Sequence, residues 1–261
     1  MERAERRRQL RDDRRLVARG LPGGETDLAM IVSLMRVLHD LLEEARDAGS
    51  VAPLMAFFQE NMAAAGRPGP TKALACRRGC SHCCHAWVSA RAPEILFAKR
   101  AVPGRDRAAV RASVDAIYEV TGTLDFDGRE GIATPCPLLA GDQCRIYAAR
   151  PAVCRTAVSA DARICERAYR QGDIEAQIPT PDFYINLRGG YSIALAGALK
   201  RAGYAPWAYE FNAGLHAALA RSDAEAAWLA GEDVFAGVPV DPTGDAFTMS
   251  GPRNIYDAAF G

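Results

Sequence analysis

The stretch Cys76-Arg-Arg-Gly-Cys80-Ser-His-Cys83-Cys84-His85 (CRRGCSHCCH), which we call the cysteine loop, holds four of the chain's eight cysteines and two of its four histidines. Three kinds of structure use cysteine at this density: a disulfide framework, a metal or iron–sulfur site, and a reactive thiol centre. The loop has the spacing C-x3-C-x2-C-C, and thiolates three or four residues apart can close around one metal centre. Metal ligation is therefore the first interpretation to follow along the rest of the chain.

Four further cysteines lie downstream of the loop at wider spacing. They are Cys136, Cys144, Cys154 and Cys165, which we call the downstream cysteines. They do not form the two regularly separated C-x2-C pairs of a zinc ribbon, so we expect them to complete sites that the loop begins. The side chains of the adjacent Cys83 and Cys84 leave the backbone in different directions unless the loop is sharply bent. They either serve different metals, or one of the two alone is a ligand.

The spacing C-x3-C-x2-C is also that of radical S-adenosylmethionine enzymes, which hold three irons of a 4Fe–4S cluster in this way. Those enzymes need a barrel of strands and helices after the motif, whereas the sequence from Pro93 onward predicts helices and irregular loops. We do not expect this protein to be one of them. The spacing nevertheless indicates that a cluster with one open corner is geometrically feasible.

The composition is that of an ordinary globular protein, with 49% apolar and 25% charged residues among 261 and no net charge. The first twenty residues carry eight arginines against four acids, without the apolar stretch of a secretory signal. No apolar run approaches the roughly 20 residues that span a bilayer. We therefore expect a cytoplasmic protein with reduced thiols and no membrane contact, which weakens the disulfide interpretation. The interleaved acids argue against nucleic-acid binding by the basic segment.

Apolar residues at three- and four-residue spacing predict helices over most of the chain. The predicted helices cover residues 2–19, 51–65, 105–120, 183–202, 207–219 and 224–229. Another is predicted to start at a cap, Thr26 or Asp27, and to end at Asp47, and a further helix is predicted to begin at Pro93. A capping box of Ser222 and Glu225 is expected to open the last of these. A short extended piece is predicted near residues 86–89, a hairpin within the turn-rich residues 121–134, and irregular chain with short helical turns over 136–165.

These elements predict a mainly α protein whose helices pack around an irregular cysteine-rich metal-binding core. We expect five segments along the chain. They are a charged N-terminal helix and linker (1–24), a helical segment (25–74), a cysteine-cluster domain (75–171), a C-terminal helical segment that packs on the same core (172–236), and an irregular tail (237–261).

The order of the motifs resembles that of a known family. The cysteine loop is followed by Cys136-Pro-Leu-Leu and then by Cys144-Arg-Ile-Tyr-Ala-Ala-Arg-Pro-Ala-Val-Cys154-Arg. This order resembles the YkgJ-type cysteine-cluster family (CxxCxxCC), which is described as zinc- or iron-chelating and includes the flagellin lysine N-methylases. The resemblance covers about residues 75–166. The family loop is often written C-x2-C-x2-C-C, and the first gap here is one residue longer, which makes the role of Cys76 less defined.

The resemblance implies that all eight cysteines are candidate ligands, of zinc in closed tetrahedral sites or of an iron–sulfur cluster, most simply 4Fe–4S. The candidates are Cys76, Cys80, Cys83, Cys84, Cys136, Cys144, Cys154 and Cys165. Three cysteines at cluster-like spacing with a distant fourth favour the cluster.

Polar neighbours of the cysteines offer further roles. His82 and His85 are spare ligands or hydrogen-bond the backbone or a sulfur. Tyr147 donates to a sulfur or simply packs. Five arginines lie near the cysteines in sequence and could offset the negative charge of thiolates: Arg77, Arg78, Arg145, Arg150 and Arg155. For Arg150 and Arg155 the alternative is that they hold the turn 146–155 by salt bridges. The other two histidines, His39 and His216, lie in predicted helices away from the loop, where a core or surface role is expected.

The sequence therefore predicts a metal-binding protein that acts as a redox, sensing or metal-handling module. The alternative is a metal-dependent enzyme resembling a protein lysine N-methylase, although Arg188-Gly-Gly190 is not the glycine-rich turn of a nucleotide-binding strand–helix unit. A disulfide-stabilised protein is the third interpretation. Besides the metal ion or cluster, a protein partner could dock on the C-terminal helices.

Overall fold

Helices form most of the chain in the structure, a computed structural model that describes residues 3–19, 28–129, 132–242 and 253–261. The helices are α1 (Arg3–Arg19), α2 (Leu28–Ala48), α3 (Ala52–Gly66), α4 (Ala92–Ala101), α5 (Arg107–Thr121), α6 (Phe126–Arg129), α7 (Ala152–Thr156), α8 (Ala162–Arg170), α9 (Asp182–Arg201), α10 (Phe211–Ala220), α11 (Ala224–Leu229) and α12 (Arg253–Phe260). The mainly α prediction is confirmed. Within these ranges, none of the helices has the length and apolar character needed to cross a membrane.

Two small antiparallel sheets accompany the helices. Strand β1 (Ser89–Arg91) pairs with β4 (Ala208–Glu210), and β2 (Leu139–Ala140) pairs with β3 (Gln143–Cys144). In the described part of the chain, 3₁₀ turns lie at Thr71–Ala73, His82–His85, Gly104–Asp106 and Tyr147–Ala149. The predicted linker at residues 20–24 and the predicted cap at Thr26 or Asp27 lie outside the described residues.

The chain divides into two compact units that are discontinuous in sequence. Unit 1 comprises Met1–Gly69, Asp182–Trp207 and Thr243–Gly261, and unit 2 comprises Pro70–Pro181 and Ala208–Pro242. The predicted C-terminal segment 172–236 contributes to both, because α9 lies in unit 1 whereas α10 and α11 lie in unit 2.

Unit 1 is organised around helix α2, which packs against α1, α3, α9 and α12. Leu34, Leu38 and Leu42 recur at four-residue spacing on α2 and are fully buried. Helix α9 approaches α2 closely at Gly197, where a Cβ atom would overlap the Met35 sulfur. The apolar period read from the sequence therefore coincides with the core of this unit.

Unit 2 contains all eight cysteines and is supported by α10, which packs against α4 and α5. The α4–α10 contact is tight at Gly214, where a Cβ atom would lie 2.6 Å from the Ile95 Cδ1. Strand β1 precedes α4 directly and β4 precedes α10 directly, so the pairing of Ser89 with Glu210 and Arg91 with Ala208 starts both helices side by side.

Three local predictions differ from the structure. The helix expected from residue 207 begins only at Phe211, because residues 208–210 pair with β1 as a strand. The hairpin expected within 121–134 is wrong for the described residues there, of which 126–129 form the short helix α6. The N-cap of α11 is Asp223 rather than Ser222 and makes no side-chain cap hydrogen bond, because the Arg221 guanidinium donates to its carboxylate at 2.8 and 2.9 Å.

The tail predicted to be irregular contains helix α12. Ala259 is buried, and the Phe260 ring meets the His39 ring edge-on at 5.4 Å between centroids. The Arg36 side chain donates hydrogen bonds of 2.8 Å to the carbonyls of Ala258 and Ala259, which caps the C-terminal end of the helix. Helix α12 is too short to be predicted from its own sequence, and tertiary contacts with α2 therefore stabilise it.

Candidate metal centre

A tight turn shapes the start of the cysteine loop. The Cys80 amide donates to the Arg77 carbonyl at 3.0 Å, and Gly79 has a φ of 83°, which fits the third position of a type II turn. The 3₁₀ turn His82–His85 follows, in which the Cys84 amide donates to the Ser81 carbonyl at 3.0 Å. The sharp bend that the adjacent cysteines Cys83 and Cys84 require is thus present.

The β2–β3 hairpin brings two downstream cysteines to the loop. Cys144 pairs with Leu139 across the hairpin, and the turn between the strands contains Gly141 with a φ of 59°. The Cys136 amide donates to the Cys84 carbonyl at 2.7 Å. This hydrogen bond ties the hairpin directly to the adjacent cysteine pair.

Ser159 and helix α8 bring the ends of the cysteine-rich segment together. The Ala75 amide donates to the Ser159 carbonyl at 2.9 Å, and the Ser159 amide lies 3.4 Å from the Cys76 sulfur. Helix α8, which carries the buried Cys165, packs against the 3₁₀ turn His82–His85. Its N-cap Asp161 accepts a hydrogen bond of 2.8 Å from the Arg163 amide.

Three polar residues that the sequence did not single out join the cysteine-bearing segments. The Ser81 hydroxyl donates to the Asp142 carboxylate at 2.5 Å, and the Arg170 guanidinium donates to the Ser81 hydroxyl at 2.7 Å. The hydrogen bond from Ser81, followed by the Arg170 charge, lowers the pKa of Asp142. We call Ser81, Asp142 and Arg170 the polar latch, because it connects the loop, the hairpin turn and α8. Their separation in sequence leaves no local signal.

Glu94 is another residue whose role is apparent only from the fold. Its buried carboxylate accepts a hydrogen bond of 2.9 Å from the Arg91 amide and one of 2.8 Å from the Ala152 amide. Because Ala152 begins α7, Glu94 fixes the helix that carries Cys154 to the start of α4. Burial raises the pKa of Glu94 above its usual value, against the opposing effect of these hydrogen bonds.

Neighbouring thiols add to the rise in the pKa of several cysteines, and we name two sets of cysteines by these contributions. Cluster A comprises Cys76, Cys80 and Cys165, and cluster B comprises Cys136, Cys144 and Cys154. Burial, and then the neighbouring thiols Cys80 and Cys83, raise the pKa of Cys76; burial and then Cys76, Cys80 and Cys83 do the same for the pKa of Cys165.

Cluster B follows the same pattern around the second set of segments. Burial raises the pKa of Cys136 to about 12, with further contributions from Cys144 and Cys83. Burial, then Cys136, Cys83 and Cys144, raise the pKa of Cys154. A hydrogen bond with the Cys84 thiol, followed by burial, raises the pKa of Cys83 itself. Cys83 thus acts on the thiols of both clusters.

Residues 75–173 match the CxxCxxCC family. The family model carries the description "putative zinc- or iron-chelating domain", and the matched residues, which we call the CxxCxxCC region, contain all eight cysteines. The match extends the resemblance seen in the motifs and indicates zinc or iron chelation as the coarse role of this region. No curated protein and no solved structure matches the chain.

The donor set of the CxxCxxCC region suits a thiophilic metal. All eight cysteines are free thiols, and the buried His82 Nδ1 has no hydrogen-bond partner among the described residues. Thiolates are the preferred ligands of zinc and of iron–sulfur clusters. The sulfurs are not closed around a point, because the described part of the chain contains no group of three or more His, Cys, Asp or Glu side chains arranged to hold a metal ion. Ligation therefore requires the thiols of a cluster to draw together.

The remaining predicted neighbours have mainly backbone partners. The Arg150 guanidinium donates to the Tyr147 carbonyl at 3.1 Å and lies 3.7 Å above the Tyr147 ring, which is 65% exposed. Arg155 donates to the Arg150 carbonyl at 3.0 Å and also to that of Ala148. Hydrogen bonds to carbonyls thus connect both arginines to the turn, and the salt bridges expected there stay a prediction. The Arg150 charge opposes the rise in the pKa of Cys83, Cys144 and Cys154.

The other polar candidates divide between the loop and the surface. His85 Nδ1 lies 3.3 Å from the Ser81 carbonyl oxygen, as expected for a backbone-bonded histidine. Arg77 and Arg78 are exposed, and Arg145 pairs with Asp106 at 2.8 Å. The histidines expected away from the loop have ring partners, since the His216 ring stacks on that of Tyr118 with 3.8 Å between centroids.

Proposed function

We propose that the CxxCxxCC region binds zinc or an iron–sulfur cluster through cysteines of both the loop and the downstream set, and that the protein serves as a redox, sensing or metal-handling module. One observation carries the proposal: hydrogen bonds and packing bring the hairpin, the chain at Ser159 and α8 to the cysteine loop, so that the downstream cysteines Cys136 and Cys165 lie on segments that contact it. These segments are far apart in the sequence, so it is the fold that brings them together. Thiolate is the ligand that both zinc and iron–sulfur clusters prefer in proteins.

The direction of the pKa shifts supports ligation over nucleophilic catalysis. A reactive cysteine needs a lowered pKa, which a nearby base or positive charge provides. Burial raises the pKa of Cys76, Cys136 and Cys165, and also that of Cys144 and Cys154. Thiols crowded together at a raised pKa release their protons to water readily only when a metal cation binds, because the cation supplies the positive charge that their thiolates need.

The spacing supports a cluster over zinc. Cys76, Cys80 and Cys83 at C-x3-C-x2-C, with a distant fourth cysteine, suit the corners of a 4Fe–4S centre. A bound cluster would allow the region to accept and donate an electron, whereas bound zinc would make the region rigid without adding redox chemistry.

Anaerobic purification with an absorption spectrum and elemental analysis tests the proposal. Broad visible absorption with iron and acid-labile sulfide indicates a cluster, and a colourless protein with bound zinc indicates closed zinc sites. The Cys80→Ser variant should lose metal and melt at a lower temperature, because ligation and folding are coupled. The matched control is Ala148→Ser, which adds the same hydroxyl at an exposed position beside the site and should keep its metal. A chain that holds neither metal, before or after reconstitution, would contradict the proposal.

Three finer points stay predictions. The lysine N-methylase alternative rests on the resemblance, and a rise in melting temperature on adding S-adenosylmethionine would favour it. A cytoplasmic location is predicted from the sequence features given above. Binding of a protein partner by the C-terminal helices is likewise predicted from the sequence.

A further inference from the structure

Helix α1 of unit 1 carries four exposed arginines, Arg7, Arg8, Arg11 and Arg15, which we call the arginine row. We propose that the arginine row binds the phosphate backbone of a nucleic acid without reading its base sequence. This proposal goes beyond the proposed function and does not depend on it, because the cysteines belong to unit 2.

Two other arginines of α1 have their charge neutralised within unit 1. Arg6 lies 3.8 Å and Arg14 lies 3.4 Å from the Asp40 carboxylate of α2. A second carboxylate of α2, that of Glu44, lies 3.5 Å from Arg14. The arginines that pair with α2 are thereby distinguished from the arginine row, which supplies the exposed positive charge of the helix.

One of the acids interleaved with these arginines is turned away from the surface. Asp13 is 3% exposed, and its carboxylate accepts a hydrogen bond of 2.8 Å from the Ser33 hydroxyl. The Arg36 guanidinium of α2 lies 3.6 Å from the same carboxylate. The negative charge of Asp13 is therefore balanced inside unit 1 and does not offset the arginine row.

The surface of α1 keeps an excess of positive charge. Three members of the arginine row make no ion pair with a described residue, and the fourth, Arg15, lies 3.8 Å from Asp12 with both side chains more than half exposed. An exposed ion pair of this kind contributes little, so a phosphate can replace the carboxylate. Among the described side chains of α1, Glu5 and Asp12 are the exposed acids, against the four arginines of the row.

The spacing of the arginine row suits a chain of phosphates. Arg7, Arg11 and Arg15 follow one another at four-residue intervals, which places them on one side of the helix about 6 Å apart. Successive phosphates of one nucleic-acid strand lie at a similar distance from each other. A guanidinium binds phosphate through paired hydrogen bonds, so each arginine can engage one phosphate group. Arg8 lies beside Arg11 and widens the row.

The exposed side of α1 fits a nucleic acid better than an anionic membrane. Helices that lie on a membrane insert large apolar side chains beside their basic residues. The large apolar side chains of α1 are those of Leu10, Leu16 and Val17, which are buried or half-buried. The apolar residues exposed on this helix are the alanines Ala4 and Ala18. The arginine row therefore offers charge without an apolar anchor.

Fluorescence anisotropy of a labelled DNA duplex with the full chain tests the proposal. The affinity should fall as the salt concentration rises, because each phosphate contact releases about one counterion. Arg7→Gln/Arg11→Gln should reduce the slope of log binding constant against log salt by about two. The loss of affinity should be the same for duplexes of different sequence. Absence of binding by the unaltered chain at low salt would overturn the proposal.

The matched control is Arg6→Gln/Arg14→Gln, which removes the same charge from the same helix at the positions that pair with α2. It should keep a salt slope close to that of wild type, and circular dichroism shows whether each variant folds. Equal loss of binding in the two folded variants would overturn the assignment to the arginine row. Glu5→Gln/Asp12→Asn removes the exposed acids and should tighten binding, and unchanged or weaker binding would count against the proposal in the same way.

Two other polyanions separate a nucleic acid from alternative partners. Phosphatidylserine vesicles present anionic lipid, and polyglutamate presents the carboxylates of an acidic protein. Both should bind the full chain more weakly than the duplex does at the same salt concentration. Binding to either that is as tight as to the duplex, and is lost in Arg7→Gln/Arg11→Gln, would overturn the assignment to a nucleic acid.

Discussion

At the scale of single residues, the supports of the cysteine segments are polar groups that bridge distant parts of unit 2. Glu94 joins the starts of α4 and α7, and the polar latch joins the loop, the hairpin and α8. Each group satisfies buried or half-buried donors, so its removal leaves several segments unfixed at once. These residues are therefore sensitive probes of how the cysteines are held.

The first prediction concerns the pH dependence of stability at Glu94. Burial raises the pKa of Glu94 above its unfolded value, so the folded chain favours the protonated carboxyl. The resulting stabilisation is fully present below about pH 4.3 and is lost as the pH rises through the folded pKa. Glutamine cannot ionise, so the free energy of unfolding of Glu94→Gln relative to wild type should improve as the pH rises above about 4.3 and should level off above the folded pKa.

Denaturant unfolding across that pH range measures this difference. The matched control is Glu60→Gln on the exposed face of α3, which should stay at a constant offset from wild type. A pH-independent offset for Glu94→Gln as well would contradict the prediction.

The second prediction concerns the polar latch. Ser81→Ala removes the hydroxyl that donates to Asp142 and accepts from Arg170, at a position that is 2% exposed. Loss of these hydrogen bonds should cost about 1–3 kcal/mol in the free energy of unfolding and weaken metal retention against a chelator.

Thermal melting and chelator competition measure the two effects. Ser222→Ala provides the matched control, because Ser222 is exposed and does not cap α11. Metal retention that stays unchanged in Ser81→Ala would show that the latch does not position the ligands.

At the scale of elements, helices α4 and α10 of unit 2 make a close contact. Both helices start from the paired strands β1 and β4, and they meet where Gly214 faces the fully buried Ile95. Since α4 carries Glu94, this contact also determines where α7 and its cysteine lie. Helix packing thus supports the candidate centre indirectly.

The third prediction tests this contact. Gly214→Ala places a methyl group 2.6 Å from the Ile95 Cδ1, so Ile95 must shift, and this overpacking should offset the roughly 1 kcal/mol that alanine gains over glycine within a helix. Ile95→Val removes that Cδ1 and alone costs about 0.5–1.5 kcal/mol, but in combination it should relieve the overpacking. The double-mutant cycle measures the coupling between the two positions.

The control for this cycle is Gly104→Ala, where no atom lies within 4 Å of the added Cβ. Its free energy of unfolding should stay close to that of wild type. Additive effects of Gly214→Ala and Ile95→Val would show that the contact is looser than the structure indicates.

At the scale of the whole molecule, the chain passes between its two units more than once. Unit 1 takes its helices from the first 69 residues, from α9 and from α12, whereas all the cysteines lie in unit 2. All the candidate ligands therefore belong to unit 2. A change in unit 1 should alter the stability of the chain without altering its metal ligation.

The fourth prediction tests this separation by removing α12. Deletion of residues 253–261 exposes the surface of α2 beneath Ala259 and Phe260 and removes the partners of Arg36. The melting temperature should fall, while the metal content per folded chain should remain that of wild type. Elemental analysis of the purified variant measures the second quantity. A proportional loss of metal would show that α12 contributes to the metal centre.

Much of the architecture follows from local sequence. The period of Leu34, Leu38 and Leu42 is enough to predict α2 and its buried face, because a helix repeats its environment every three to four residues. The crowding of thiols in the cysteine loop is enough to predict a soft-metal donor set, because the chemistry belongs to the residue type. Both inferences need information from within a few positions only.

The contacts that organise the candidate centre connect residues far apart in the chain. Ser159 reaches back to Cys76, Glu210 pairs with Ser89, and the Cys136 amide bonds to Cys84. Such pairings leave no periodic trace, because each depends on where the rest of the chain is placed. The same reason explains why the sequence predicted a coil at α12, whose burial against α2 is tertiary.

The sequence by itself therefore determined a helical protein with eight thiols suited to zinc or iron, because local period and side-chain chemistry are properties of short stretches. Only the tertiary structure brought the hairpin and α8 to the cysteine loop, with the Cys136 amide bonded to the Cys84 carbonyl and α8 packed against the turn His82–His85. That arrangement depends on long-range packing, and spacing along the chain does not encode it.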